Sequence, residues 1–149
     1  MQFKQSYALR QFARLYRELD EIYHLLAVRS GLSDSAFVIL YAMIELGEGC
    51  LQKEISDQYS VSPQTIHSSV RALEKKGYLY LTPGKRRDMH IYLTDLGKQV
   101  LEERIGPVVE LENSVFRAMP PDESRELLRL MRNYLDLYRQ QLNTISSED

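Results

Sequence analysis

The stretch from Leu51 to Thr94 leaves few folds open. Leu51 and Ile55 set one face of a short helix ending near Tyr59, and Ser60 and Val61 form a tight connection. Ser62 then suits an N-cap, where a side-chain oxygen meets an unpaired N–H, and Pro63 takes the first helical position, where its missing N–H costs nothing. Ile66, Val70 and Leu73 recur at i, i+4 and i+7 as a narrow inner stripe, and Gly77 stops the helix after Lys75 and Lys76. Two short helices around a tight turn predict a helix-turn-helix. Tyr78 to Thr82 and Met89 to Thr94 are strand-like; in the second, Met89, Ile91 and Leu93 point one way while His90 and Tyr92 point the other. A helix-turn-helix followed at once by a hairpin predicts a winged helix, and TPGKRRD is then the tip of the wing.

Long helices flank this core. From Ser6 to Val28, residues Leu9, Phe12, Tyr16, Leu19, Tyr23 and Leu26 fall at spacings of 3 and 4, an apolar seam. Ser33 is placed to cap a second helix over Asp34 to Leu46, apolar almost all round and therefore predicted to be buried, with Gly47 and Gly49 closing it. Thr94 is placed to cap a fifth helix running to about Ala118, which Pro107 is expected to kink. After Met119-Pro120-Pro121 a last helix carries Leu128, Met131, Leu135, Tyr138 and Leu142 on the same 3–4 spacing as the first.

The fold class expected is mainly α with a small β-hairpin wing, in one domain over residues 1–149. The winged helix occupies about 35–94, and helical regions over about 6–30 and 95–145 flank it. A lone winged-helix core cannot cover both seams, and each large side chain left wet forfeits about 1.5–3 kcal/mol. The seams are therefore expected to pair with a second copy through Leu9, Phe12, Tyr16, Leu19, Leu128, Met131, Leu135, Tyr138 and Leu142; the alternative is that they pack on each other within one subunit.

Composition bounds the function. With 44% apolar and 27% charged residues, the chain matches an ordinary soluble globular domain. Its longest nearly uninterrupted apolar run, Ala36 to Ile44, falls far short of the roughly 20 residues that span a bilayer. MQFKQSYALRQF lacks a cleavable apolar stretch, and the single Cys50 cannot make an intramolecular disulfide, so a cytoplasmic protein without a membrane partner is expected. The net charge of −2 conceals an asymmetry: Ser62 to Thr94 holds six cations (Arg71, Lys75, Lys76, Lys85, Arg86, Arg87) against two anions (Glu74, Asp88). Local sign decides attraction to a polyanion, because contacts are made within a screening length of about 8 Å.

Nothing in the sequence argues for an enzyme or a cofactor. HExxH, a phosphate-cradling glycine loop and a cysteine pair are all missing, and His24, His67 and His90 are too dispersed for a metal site. Cys50, just before the helix-turn-helix, reads as a buried structural thiol rather than a redox switch.

LQKEISDQYSVSPQTIHSSVRALEKKGYL, the wing KRRDMHIYLT, its exit LTDLGKQV, and MPPDESRELLRLM opening the last helix together resemble the MarR family of transcriptional regulators. The resemblance covers most of residues 33–145. It implies a homodimeric winged helix that binds pseudo-palindromic double-stranded operator DNA, with the termini building the dimer interface and a small ligand releasing the DNA. Family ligands commonly sit between the dimer helices and the DNA-binding lobe, which makes Tyr16, Tyr23 and Tyr41, with His24 nearby, candidates to line a site for an aromatic or phenolic ligand. One position departs: family wings often carry an aspartate where this chain has Lys85, and Asp88 is the substitute at hand to orient Arg86 or Arg87.

With Ile66 facing inward, 100° per residue puts Gln64, Ser68, Arg71 and Lys75 on the outer face, with Thr65 and His67 on its flanks. Gln64 suits adenine, and Arg71 suits guanine or a phosphate. Ser62, Ser68 and Ser69 are small enough for close approach, while Lys85, Arg86 and Arg87 would reach a minor groove or its phosphates. The rival readings are an ordinary solvated face and turn, or a winged helix used as a protein–protein module without sequence-specific DNA binding.

Overall fold

The computed structural model describes residues 3–85 and 88–145 of the 149-residue chain. Its elements follow in the order α1 (Tyr7–Arg29), α2 (Asp34–Leu46), α3 (Gln52–Tyr59), α4 (Pro63–Lys75), β1 (Leu79–Pro83), β2 (Met89–Leu93), α5 (Asp95–Val100), a π-helical turn (Leu101–Ile105), α6 (Gly106–Ala118) and α7 (Pro121–Ile145). Local chemistry accounts for the helix starts. The hydroxyls of Ser6, Ser33, Ser62 and Thr94 accept hydrogen bonds from the backbone N–H three residues on, at the heads of α1, α2, α4 and α5. Leu51 offers no such oxygen before α3; instead its own N–H donates to the Glu54 carboxylate at 2.7 Å, half of a capping box.

The chain divides into two compact units, residues 1–108 and 109–149. In the first, Ile39 and Leu40 of α2 are fully buried, together with Ile55, Ile66, Val70, Ile91 and Ile105 from the surrounding elements. α2 is thus the central helix, as its all-round apolar character predicts. The hairpin is antiparallel, pairing Leu79 with Leu93 and Leu81 with Ile91. The first strand lies one residue later than expected. It ends on Pro83, which pairs with Met89 at the tip, where a missing N–H does least harm.

A strap from Gly49 to Leu51 adds itself to the free edge of β2. Gly49 N–H donates to the Ile91 carbonyl at 2.7 Å, Ile91 N–H donates to the Cys50 carbonyl at 3.0 Å, and Leu51 bridges to His90. The wing is therefore bonded by its backbone to the segment that leads into α3.

The expected Pro107 disturbance takes the form of a π-helical turn immediately before it, in which Gly106 N–H reaches back to Leu101 O. At the same turn the Ser30 hydroxyl donates to the Arg104 carbonyl, tying it to the end of α1. The second unit contains the rest of α6 and all of α7. No residue of α7 is buried. Among the described residues no single helix is long and apolar enough to cross a membrane.

Candidate nucleic-acid interface

Helix α4 buries Ile66 and Val70 completely and leaves its opposite side open. Ser62, Gln64, Thr65, His67, Ser68 and Arg71 are all exposed on it, as their spacing predicts. The Ser62 hydroxyl accepts from the Thr65 N–H at 3.2 Å and bonds the Thr65 hydroxyl at 2.7 Å, while the Ser68 hydroxyl donates to the Thr65 carbonyl at 3.0 Å. The first turn is thus a set of small hydroxyls folded onto their own backbone, which leaves close access to the helix start. Arg71 forms an i,i+3 pair with Glu74 at 3.2 Å, a solvated contact that a stronger acceptor can replace. Lys75 is exposed at the end of the helix.

Ser69 has a different role from the one its size suggested. Its hydroxyl lies 2.6 Å from that of Ser35 and joins α4 to α2, so it faces the interior rather than a ligand of the outer face. Sequence reasoning also missed Gln52, whose amide oxygen lies 3.2 Å from His67 Nδ1 and links α3 to α4. A pair fifteen residues apart across a turn has no periodic signal.

The wing is anchored from below. His90 Nδ1 lies 2.6 Å from the Gly49 carbonyl. Its Nε2 occupies the space beside Gly84, where an added Cβ would come within 2.5 Å of it. Glycine in the Pro83-Gly84 turn thus leaves the histidine ring in place, and any side chain there would push the ring aside. Gly84 N–H donates to the Asp88 carbonyl at 2.7 Å and Asp88 N–H to the Lys85 carbonyl at 3.1 Å, closing the loop at its base. Lys85 and Asp88 are exposed. Arg86 and Arg87, and with them the question of which carboxylate steadies them, lie outside the described residues.

The far end of the motif is held by Thr94 and Gly97. Thr94 donates its hydroxyl to the Gly77 carbonyl and its N–H to the Tyr78 carbonyl, which fastens α5 to the exit of α4. A Cβ on Gly97 would stand 1.7 Å from the Tyr78 carbonyl oxygen. The Leu-Thr-Asp-Leu-Gly string therefore has a packing reason: only glycine lets α5 cross the backbone there.

On the other side of α2 lies a cavity of about 740 Å³, walled by Tyr23 of α1, Phe37 and Tyr41 of α2, and Tyr59 of α3. The rings follow one another, Phe37 to Tyr41 at 5.9 Å and Tyr41 to Tyr59 at 6.5 Å edge-on. Of the three tyrosines expected to line a ligand site, Tyr23 and Tyr41 are brought together here. Tyr16 is not among the cavity's lining residues; it lies on α1, 63% exposed. His24 also lines the cavity, with Nδ1 between both Asp34 oxygens at 2.9 and 3.1 Å.

Cys50 is buried with its Sγ 3.5 Å from Met43 Sδ. Burial, reinforced by the nearby Glu54 carboxylate, pushes its thiol up to about 11, so at neutral pH it is a packed SH group rather than a thiolate. Among the described residues no group of three His, Cys, Asp or Glu side chains is arranged to hold a metal ion.

The MarR family profile matches residues 30–88, from the end of α1 through the helix-turn-helix into the wing. Over these residues the chain is of the MarR family. A Bacillus subtilis relative, described as the uncharacterized HTH-type transcriptional regulator YwaE, is 30% identical over 107 residues; the match takes in 70% of this chain and 62% of the relative's length. The MarR family regulator NMB1585 from Neisseria meningitidis superposes with a TM-score of 0.78 at 22% identity, over 97% of this chain and 100% of that one. MepR of S. aureus, solved as a complex with DNA, gives 0.69 at 17% identity over 91% and 99% of the two chains. At these identities the structural likenesses speak for the fold: a MarR-type winged helix with long N- and C-terminal helices.

Proposed function

We propose that this MarR protein is a dimeric repressor that binds a pseudo-palindromic operator and lets go of it when a small molecule occupies the α1–α2–α3 cavity. The observation that carries the reading is the juxtaposition on one folded unit of an outward polar face on α4 and a wing bonded to the segment before α3. Ser62, Gln64, Thr65, His67, Ser68 and Arg71 present hydroxyl, amide, imidazole and guanidinium groups without a bulky apolar side chain among them, the chemistry that reads base edges and phosphates. Lys85, Arg86 and Arg87 add the cations that follow the backbone. The MepR complex supplies a precedent for DNA binding on this fold.

The dimer is proposed from the long helices. Leu9, Tyr16 and Leu19 of α1 and Leu128, Met131, Leu135, Tyr138 and Leu142 of α7 are each at least 40% exposed, whereas Phe12 is half-buried. The open apolar surface of α7 extends beyond that seam to Leu127, Leu130 and Leu137, more than a solvated helix keeps in isolation. Residues 35–94 act in this reading as the DNA-binding lobe, with 6–30 and 95–145 as dimerisation helices of one functional domain.

The test is a mobility-shift titration of the full chain on DNA from upstream of its own gene, at two salt concentrations, beside a scrambled duplex. A specific shift that weakens steeply with salt is expected. Equal, salt-insensitive affinity for both duplexes, or no shift, would overturn the assignment and favour a winged helix that contacts protein.

A further inference from the structure

We infer that the cavity between α1, α2 and α3 selects a lipophilic organic cation, a choice of charge that the aromatic or phenolic ligand expected from the sequence left open. This inference rests on reading the cavity as a ligand site, and concerns which ligand it takes. The walls are aromatic: Tyr23, Phe37, Tyr41 and Tyr59. The charged groups that line it are the carboxylates of Asp20, Glu21 and Asp34, and among the described residues neither lysine nor arginine lines it. His24, with Nδ1 against Asp34, can offset one of these carboxylates when protonated, and the lining stays net negative in either state. The Tyr59 hydroxyl is already donated to a fourth carboxylate, Glu45, at 2.6 Å, so that what Tyr59 contributes to the wall is its ring.

Each of these features favours positive charge. Aromatic faces carry negative potential and attract a soft cation that sheds its water readily, and the carboxylates add Coulomb attraction at the rim. Among the described lining residues a carboxylate or phenolate ligand would find only His24, already held against Asp34, as a partner, and would face like charge from three carboxylates. The volume, about 740 Å³, suits a drug-sized organic molecule rather than a metal or simple ammonium ion.

Tetraphenylphosphonium and tetraphenylborate, alike in shape and opposite in charge, separate the alternatives in calorimetric titrations of the full-length protein. The phosphonium is expected to bind once per chain and more tightly than the borate. Asp20→Asn combined with Glu21→Gln should weaken it by about fivefold or more, and Tyr41→Leu should weaken it too. Thermal melts identify any variant that has lost its fold, and the two single carboxamide variants, on the exposed face of α1, then stand in for it. Borate binding as tight as phosphonium and sensitive only to Tyr41→Leu would overturn the charge preference while keeping the cavity as a ligand site. Failure of both probes at millimolar concentration, or phosphonium binding indifferent to every substitution, would overturn the site itself.

Discussion

His67 on α4 is tied to Gln52 at the head of α3 by a hydrogen bond of 3.2 Å from Nδ1 to Oε1. With the amide oxygen accepting, Nδ1–H is the donor of this bond and Nε2 is left facing outward. A flexible side chain is thereby held in one orientation on the face proposed to read DNA. Gln52→Ala should lower operator affinity by about two- to tenfold, the worth of one neutral hydrogen bond, with little change in melting temperature. Measured by fluorescence anisotropy, the loss should not add to that of His67→Ala. Full additivity would mean that Gln52 acts on its own.

Charge and specificity should separate in the same assay. Arg87→Ala is predicted to reduce the slope of log K against log salt by about 1 to 2 per dimer, weakening all sequences alike. Gln64→Ala should keep the slope and relax preference at one base pair per half-site, costing about 1–3 kcal/mol there. Titrations over several salt concentrations and a panel of substituted operators check both; unchanged slope and unchanged preference would sink the two assignments together.

The apolar face of α7 gives a prediction about mass. The chain is 17.4 kDa, and light scattering should report about twice that for the native protein. Leu135→Asp places a charge in the middle of the exposed seam and should shift the population to the single-chain mass while the far-ultraviolet helical signal persists. A variant that stays at the native mass would remove α7 from the interface.

How much of this was legible beforehand follows from the range of the forces involved. Caps and stripes are local, so Ser62-Pro63, the Ile66-Val70-Leu73 stripe and the alternation at Met89-Ile91-Leu93 mark their elements to within a residue. The strap onto β2, the Ser35–Ser69 hydroxyl pair and the Gln52–His67 bond join residues far apart in sequence and leave no periodic trace. Ser69 was misread for that reason: its spacing allows the flank of the outer face, while its partner on α2 turns it inward. The cavity was half visible. Tyr23 and Tyr41 could be placed near it, but its negative rim depends on how α1 and α2 meet.

Gly97 tests the crossing of α5 over the end of α4. Gly97→Ala would drive a methyl group against the Tyr78 carbonyl, backbone that cannot swing aside as a side chain would. A loss of about 2–3 kcal/mol is expected, lowering the melting temperature by about 5–10 °C in a chain of this size. Differential scanning calorimetry decides it, and a melting temperature within a degree of native would show that the helices part freely.

Cys50 supplies a pH dependence. Its folded value of about 11 lies above the unfolded 9.0, so between those limits the folded state holds a proton that the unfolded state has released. Stability from this group is complete below pH 9 and declines as pH rises toward 11. Urea midpoints for the native protein should fall across that window more steeply than for Cys50→Ala. An aromatic disulfide reagent at pH 8 should label Cys50 only on unfolding; rapid labelling of the native protein would contradict the buried thiol.

Val100, Ile105 and Val108 are all buried, yet the first two stand five residues apart, a spacing that no regular α-helix keeps on one side. The π-helical turn at Leu101–Ile105 makes that spacing workable, because a turn closed from i to i+5 accommodates one residue more than its neighbours. In effect the turn is a phase adjuster between two stretches of helix whose inward sides were written in different frames. Straightened into regular α-helix with no residue removed, the turn would rotate everything after it by about 100°. Every inward side chain beyond it would then point to the wrong quarter, and removing one residue from the turn would bring them back.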